Sequence, residues 1–289
     1  MTALYHYCSM ASLLKIIESA SIHCSNLYLT NDPNEIVLAK RTLIPEFFHN
    51  RFGTRFHGND NTHEFFALSF SRKPDVLSQW RGYGDIGKGV MLELDLDVLQ
   101  ACNYAFSMSE NNIHKLNDST WGTPVFEVVD VVYHPDEFKD KLEETYKDHD
   151  DGKLLKSMKN MDPTDRNFIN FINRLNGLSS CYKSEFYEEE QEVRCVIFSD
   201  INEAGYRPIE LHSERWGEAA KQQVVFLESQ GKLSPRIPLR LKFNHLTAIS
   251  NVMLGPANTN NKDVVQAILQ KYGFADTKIS VSRGAFGCR

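Results

Sequence analysis

The stretch Tyr187 to Phe198 runs an acidic cluster, Glu188-Glu189-Glu190-Gln191-Glu192, directly into the β-branched segment Val193-Arg194-Cys195-Val196-Ile197-Phe198. The apolar tail reads as a strand that begins inside the acidic run. Side chains alternate along an extended chain, so Glu190, Glu192 and Arg194 fall on one face while Gln191, Val193 and Cys195 fall on the other. Two carboxylates and a guanidinium then meet at the start of a strand. Like charges on one face repel, so one carboxyl titrates high unless Arg194 pairs with it. The plain alternative is a solvated charged edge, and Glu188 and Glu189 are read that way.

Three other groups have side chains suited to binding. His6 sits among aromatics in Leu4-Tyr5-His6-Tyr7, where a core or surface role explains it equally well. Asn31-Asp32-Pro33-x-Glu35 is a cluster of polar groups, yet Asp as N-cap, Pro at the first helical position and Glu three residues on already form a helix start without any ligand. Ser69 and Ser71 share one face of the strand Phe65 to Ser71, with Trp80 and Tyr83 following. Hydroxyls and aromatic faces suit a sugar and a flat heterocycle, although strands also use such residues for packing. The loop Arg81 to Gly89 has four glycines in the eight residues from Gly82 on, which lets the backbone approach a ligand closely, but it lacks the order of a nucleotide-binding fingerprint.

The elements that must position these groups follow from periodicity. Leu4 to Tyr7 is a strand, Ser9 an N-cap, and Leu13, Leu14, Ile16 and Ile17 recur at helical spacing. Ile22 to Leu29 is extended, and a helix runs from Asp32 to about Phe48. A short helical turn at Asp75 to Trp80 precedes strands at Val90 to Leu94 and Phe126 to Tyr133. Residues 135–178 read as a helical insertion, broken by the polar stretch Asp148 to Asp165, with Phe168, Ile169, Phe171, Ile172 and Leu175 as an apolar stripe. Residues 212–230 read as helix, Leu246 to Leu254 as strand, Asn261 to Tyr272 as helix and Lys278 to Ser282 as a last strand. The expected fold is α+β, with residues 1–289 as a single domain.

A net charge of −6 disfavours a protein that coats nucleic acid non-specifically and leaves a small-molecule or protein substrate as the default. No apolar run approaches the ~20 residues of a membrane span, which points to the cytoplasm. The six cysteines show no zinc-like spacing and read as free thiols; no metal is expected.

The motifs Tyr5-His6-Tyr7, Asn31-Asp32-Pro33-x-Glu35, Ser69-x-Ser71, Trp80-x-x-Tyr83, Gly89-Val90-x-Leu92-Glu93-Leu94, Tyr187-x-x-Glu190-x-Glu192-x-Arg194 and Leu254-Gly255-Pro256 resemble the bacterial domain of unknown function 2971 family. Their order, a histidine on the first strand, Ser-x-Ser on a middle one and Glu-x-Glu on a late one, is in turn similar to ADP-ribosyltransferases, and the opening is similar to that of DarT-like DNA ADP-ribosyltransferases. That resemblance implies a split central antiparallel or mixed β-sheet. It also implies NAD as substrate, a nucleic-acid or protein acceptor, and an effector role in phage defence or toxin systems. On it, Glu192 stabilises the oxocarbenium-like charge at the nicotinamide ribose and Glu190 orients the acceptor. His6 bonds the other ribose, Ser69 and Ser71 position nicotinamide, and Trp80 or Tyr83 stacks on a ring. Tyr5, Asn31, Asp32 and Arg194 complete the NAD-binding set. The alternatives are a nucleotide or nucleic-acid sensing module without turnover, and a metal-dependent nuclease built on Glu190, Glu192 and Asp32.

Overall fold

A computed structural model describes residues 3–29, 35–52, 63–105, 123–147, 175, 177–202, 205–206, 209–212, 219–222, 224–229 and 231–284. Its centre is an 11-stranded sheet. The strands are β1 (Ala3–Cys8), β2 (Ser21–Asn26), β3 (His63–Ser71), β4 (Val90–Asp95), β5 (Glu127–Asp130), β6 (Glu192–Asn202), β7 (Gly205–Tyr206), β8 (Val225–Ser229), β9 (Lys232–Arg240), β10 (Ile249–Leu254) and β11 (Lys278–Val281). The main path runs β8-β9-β2-β3-β1-β4-β10-β11, and β6 joins from β3 and carries β5 and β7. All of these pairings are antiparallel except β10 with β11. The sheet is therefore mixed, and the architecture is α+β, as the sequence leads one to expect.

Alternation decides what each face buries. Leu4, Val90, Leu92, Leu94, Phe66, Leu68, Phe70, Val193, Cys195 and Ile197 point to one side, where helix α1 (Met10–Ser19) adds Leu13, Ile16 and Ile17 and the helix Lys262–Lys271 adds Val265 and Leu269. Each fully buried aliphatic or Phe side chain there contributes about 1.5–3 kcal/mol. Both helices are capped as their sequences suggest: Ser9 Oγ accepts from Ser12 N–H at 3.1 Å, and Asn261 Oδ1 accepts from Asp263 N–H at 2.7 Å. The odd residues Tyr7 and Met91 face the other way and pack with Trp80.

The strand β3 organises the site because β6 covers one edge of it from His63 to Ser71 while β1 and β2 share the other. β2 pairs at Phe66 and Ala67, and β1 pairs at Ser71. Between those points β1 and β2 diverge, and the edge at Leu68, Ser69 and Phe70 has no strand ladder against it. The sheet is split there.

Several expectations change. The described residues of the stretch 212–230 are extended rather than helical: Ala219–Gln222 is a strand paired with Ile209–His212, and β8 forms a hairpin with β9 turned at Gly231, φ +77°. The β-branched and aromatic run Val224-Val225-Phe226 and the pairing partners outweigh the helix-forming Ala219-Ala220. The helix expected from Asp32 comes as Glu35–Leu38, a π-helical turn Ala39–Leu43, and Ile44–Phe52. The first part of the insertion is the helix Pro135–Lys147; of its apolar stripe, Phe168, Ile169, Phe171 and Ile172 lie outside the described residues and Leu175 is buried. No described helix is long and apolar enough to cross a membrane. Cys8, Cys24, Cys102, Cys181 and Cys195 are buried free thiols.

Candidate functional site

A cavity of about 370 Å³ opens at the split. It is lined by Tyr5, His6 and Tyr7 of β1, His23 and Ser25 of β2, Ala67 to Ser71 of β3, Glu192 of β6, Arg236 of β9, and Gln79, Tyr83, Lys183, Tyr187 and Glu190 from the connections. Small-molecule sites commonly have this size, roughly 300–1,000 Å³, and this mixture of aromatic and polar walls. His6, Ser69 and Glu192, distant in sequence, thus share one cleft.

The β6 wall is built by register. Ser69 lies opposite Arg194 and Ser71 opposite Glu192, so all four side chains alternate onto the same face. Arg194, 1% exposed, grips Glu192 in a bidentate pair, Nε to Oε1 at 2.7 Å and Nη2 to Oε2 at 3.0 Å, and its Nη1 donates to the Ser180 carbonyl at 2.8 Å. Lys183 Nζ donates to Glu192 Oε2 at 3.1 Å and Glu190 Oε2 at 2.6 Å, and lies 4.5 Å from the centre of the Tyr187 ring. Tyr83 donates to Glu190 Oε1 at 2.7 Å, and the Tyr133 hydroxyl accepts from the Glu192 backbone N–H at 2.8 Å. Burial by itself raises the pKa of Glu192, but the Arg194 guanidinium, with Lys183 and the Ser69 hydroxyl, outweighs it and brings the carboxyl down to about 2. Burial and the Glu190 carboxylate push the Tyr83 hydroxyl up, so it stays a protonated donor.

Glu190 does not join this wall by strand alternation. It ends a 3₁₀ helix, Glu185–Glu190, and Gln191 then takes φ 44°, which resets the direction of the chain before β6 begins. Ser71 fixes that corner by donating its Oγ to the Glu190 carbonyl at 3.0 Å.

His6 fills the split. Its Nδ1 lies 3.0 Å from the Ser69 carbonyl oxygen, and its ring meets Phe70 edge-on with centroids 6.1 Å apart. A carbonyl only accepts, so Nδ1 carries the proton and Nε2 is left as an acceptor. Burial lowers the His6 pKa, which favours this neutral form.

The remaining expected site residues divide. Tyr5 lines the cavity, its hydroxyl pKa raised by burial and by Glu93. Trp80 does not: it is 2% exposed, packs edge-on against Tyr7 at 4.9 Å and donates Nε1 to Asp75 Oδ1 at 2.9 Å, so its indole belongs to the core and Tyr83 is the aromatic at the cavity. Arg194 lies behind the cavity wall as the partner of Glu192 rather than as a lining residue. Asn31 and Asp32 lie outside the described residues. The glycine loop packs closely against backbone of neighbouring segments: a Cβ on Gly89 would sit 2.2 Å from the Cys8 carbonyl, and one on Gly255 would sit 2.3 Å from the Gly87 carbonyl. Lys183, His23, Ser25, Gln79 and Arg236 are polar lining residues that sequence reasoning missed; sheet pairing brings His23, Ser25 and Arg236 to the site, and Lys183 arrives on the connection before the 3₁₀ helix.

These features define an α+β protein with a polar cavity at a split sheet and a buried, ion-paired Glu-x-Glu-x-Arg strand on one wall. Within that class, residues 79–195 match the family model described as Protein of unknown function (DUF2971). The match covers less than half of the chain, including Tyr83, Lys183, Glu190, Glu192 and Arg194 but not His6 or Ser69. No curated protein matches the chain, and no solved structure does.

Proposed function

We propose that the chain is an ADP-ribosyltransferase-like enzyme that binds NAD in the split-sheet cavity and transfers ADP-ribose to a nucleic-acid or protein acceptor. The observation that carries this reading is the convergence of His6, Ser69, Glu190 and Glu192 on one cavity. In the reaction the bond between ribose C1′ and the nicotinamide nitrogen breaks, and its electron pair leaves with nicotinamide. An acceptor heteroatom then bonds to C1′ and loses its proton. Positive charge develops on the ribose, and fixed negative charge beside it lowers the barrier.

Both carboxylates are held by protein groups, but they differ in access. Both oxygens of each carboxylate accept hydrogen bonds, but the Glu192 side chain is 5% exposed whereas that of Glu190 is 16% exposed at the cavity. We therefore give Glu190 the ribose contact and Glu192 the role of positioning Lys183 and Arg194. Neutral His6, with Nε2 as acceptor, suits a ribose hydroxyl. The cationic Lys183 and Arg194 already occupy the oxygens of the Glu pair, which argues against the nuclease reading, because a divalent cation needs those oxygens.

Nicotinamide release from NAD and calorimetric titration of NAD test this reading together. Glu190→Gln is expected to lower turnover by roughly a hundredfold or more, the usual size for a group that stabilises transition-state charge, with NAD affinity and fold retained. If wild-type protein neither binds nor cleaves NAD, the reading fails. If it binds NAD and Glu190→Gln changes nothing, the sensing-module alternative takes its place.

A further inference from the structure

The wall opposite Glu190 and Glu192 has a different chemistry. Arg236 of β9 lies opposite Ser25 of β2, and Ser25 lies opposite Ala67 of β3, so the three side chains stand in one row on the cavity face, with His23 two residues from Ser25 on the same face. All four line the cavity. Arg236 Nε is buried and has no hydrogen-bond partner among the described residues. A buried guanidinium nitrogen without a partner is unfavourable, and a ligand oxygen in the cavity would satisfy it. Ala67, the small residue at the β3 end of this row, lies between Ser25 and β6.

Charge points the same way. The cavity and its wall hold Lys183, Arg194 and Arg236 against Glu190 and Glu192, three cations to two carboxylates, and Lys183 and Arg194 are consumed by the glutamates. The positive surplus sits at Arg236. Burial lowers its pKa, and burial together with Arg236 lowers that of His23, so His23 meets a ligand as a neutral imidazole beside a cation. From β9 to β6 is three interstrand spacings, about 14 Å.

We infer that Arg236, with His23 and Ser25, is a phosphate subsite that receives the diphosphate of a nucleotide whose sugar lies toward Glu190. An arginine fork, an imidazole and a hydroxyl on one wall offer donors to several oxygens, which a diphosphate supplies and a single carboxylate does not. The subsite deepens the NAD reading and rests on it for the identity of the sugar beyond the diphosphate. The anion recognition itself stands on Arg236.

Calorimetry on the full chain with ADP, NAD and nicotinamide riboside, which lacks phosphate, tests the subsite. Arg236→Gln is expected to weaken ADP and NAD by about tenfold to a hundredfold, the range of a charge-assisted hydrogen bond, and to leave the riboside unchanged. Arg236→Lys, which keeps the charge and loses the fork, falls between, and it serves as the test if Arg236→Gln does not show a wild-type melting profile. Wild-type protein that fails to bind ADP overturns the inference. So does equal weakening of riboside and ADP, no weakening of either, or an oligonucleotide that binds through Arg236 more tightly than ADP. ADP binding that depends on Arg236 in a protein that releases no nicotinamide from NAD upholds the subsite and removes the transferase reading. Nicotinamide release indifferent to Arg236→Gln does the reverse.

Discussion

At the β6 wall all four carboxylate oxygens of Glu190 and Glu192 accept from Lys183, Arg194 or Tyr83, whereas at the β9 wall the Arg236 Nε has no partner among the described residues. Both walls face the same cavity and both place charge in partly or wholly dry surroundings. The first is electrostatically complete before any ligand arrives; its geometry is fixed by protein groups. The second is complete only with an anion. A site with one wall preorganised and one wall unsatisfied orients an asymmetric ligand, because only the anionic end gains by lying against β9.

The comparison breaks first at Arg194. Removing one member of a buried ion pair strands the other, a cost of about 3–5 kcal/mol. Arg194→Met is therefore expected to lower stability by that amount in urea unfolding, and adding Glu192→Gln is expected to restore part of it. A single variant as stable as wild type means that the β6 wall is not held by this pair.

Acid probes the same wall with a smaller effect. The Glu192 carboxyl is held at about 2 against an ordinary value of 4.5. Its contribution, on the order of 3 kcal/mol, is fully present above about pH 4.5, shrinks as the unfolded chain protonates first, and is gone once pH falls through the folded value. His6, also lowered, loses stability in the same direction as pH drops below its ordinary value of 6.5. The difference between wild type and Glu192→Gln isolates the carboxylate: the gap in unfolding free energy at pH 7 is expected to narrow by pH 3.5. A gap independent of pH removes Glu192 as a buried anion.

The unequal visibility of the two walls in the sequence has a physical reason. Period-two alternation is a local rule, so Val193 and Cys195 in the core and Glu192 and Arg194 on the opposite face followed from spacing alone. The same rule misassigned Glu190, whose place depends on Gln191 turning to φ 44°. Trp80 and Tyr83, three residues apart around the helix Leu77–Gly82, both looked available for stacking, yet the core claimed the indole through Tyr7 and Asp75. Lys183 reaches its glutamates through a 3₁₀ turn, and Arg236 reaches the cavity on β9, a strand the sequence reading did not assign, in a hairpin where a helix was expected before it. Nothing short-range marks either residue. The split of the sheet is a tertiary fact: it needs β1 and β2 to share one edge of β3, and the residues of β3 at the gap, Leu68-Ser69-Phe70, read like any half-buried strand.

The smallest expected change in stability is the one that separates the walls most sharply. Arg236 makes no ion pair among the described residues, its Nε is buried without a partner and burial disfavours its charge, so replacing it with methionine removes that unsatisfied nitrogen and keeps most of the aliphatic packing. Arg236→Met is expected to unfold within about 0.5 kcal/mol of wild type, or slightly above it, under urea without ligand. Excess ADP supplies the contrast. Ligand that binds only the folded state adds stability by mass action, about 2.7 kcal/mol at a hundredfold excess over Kd, so wild type gains and Arg236→Met gains far less. A variant several kcal/mol less stable than wild type in the absence of ADP shows instead that Arg236 holds the fold as Arg194 does, and the distinction between a finished wall and an open one is lost.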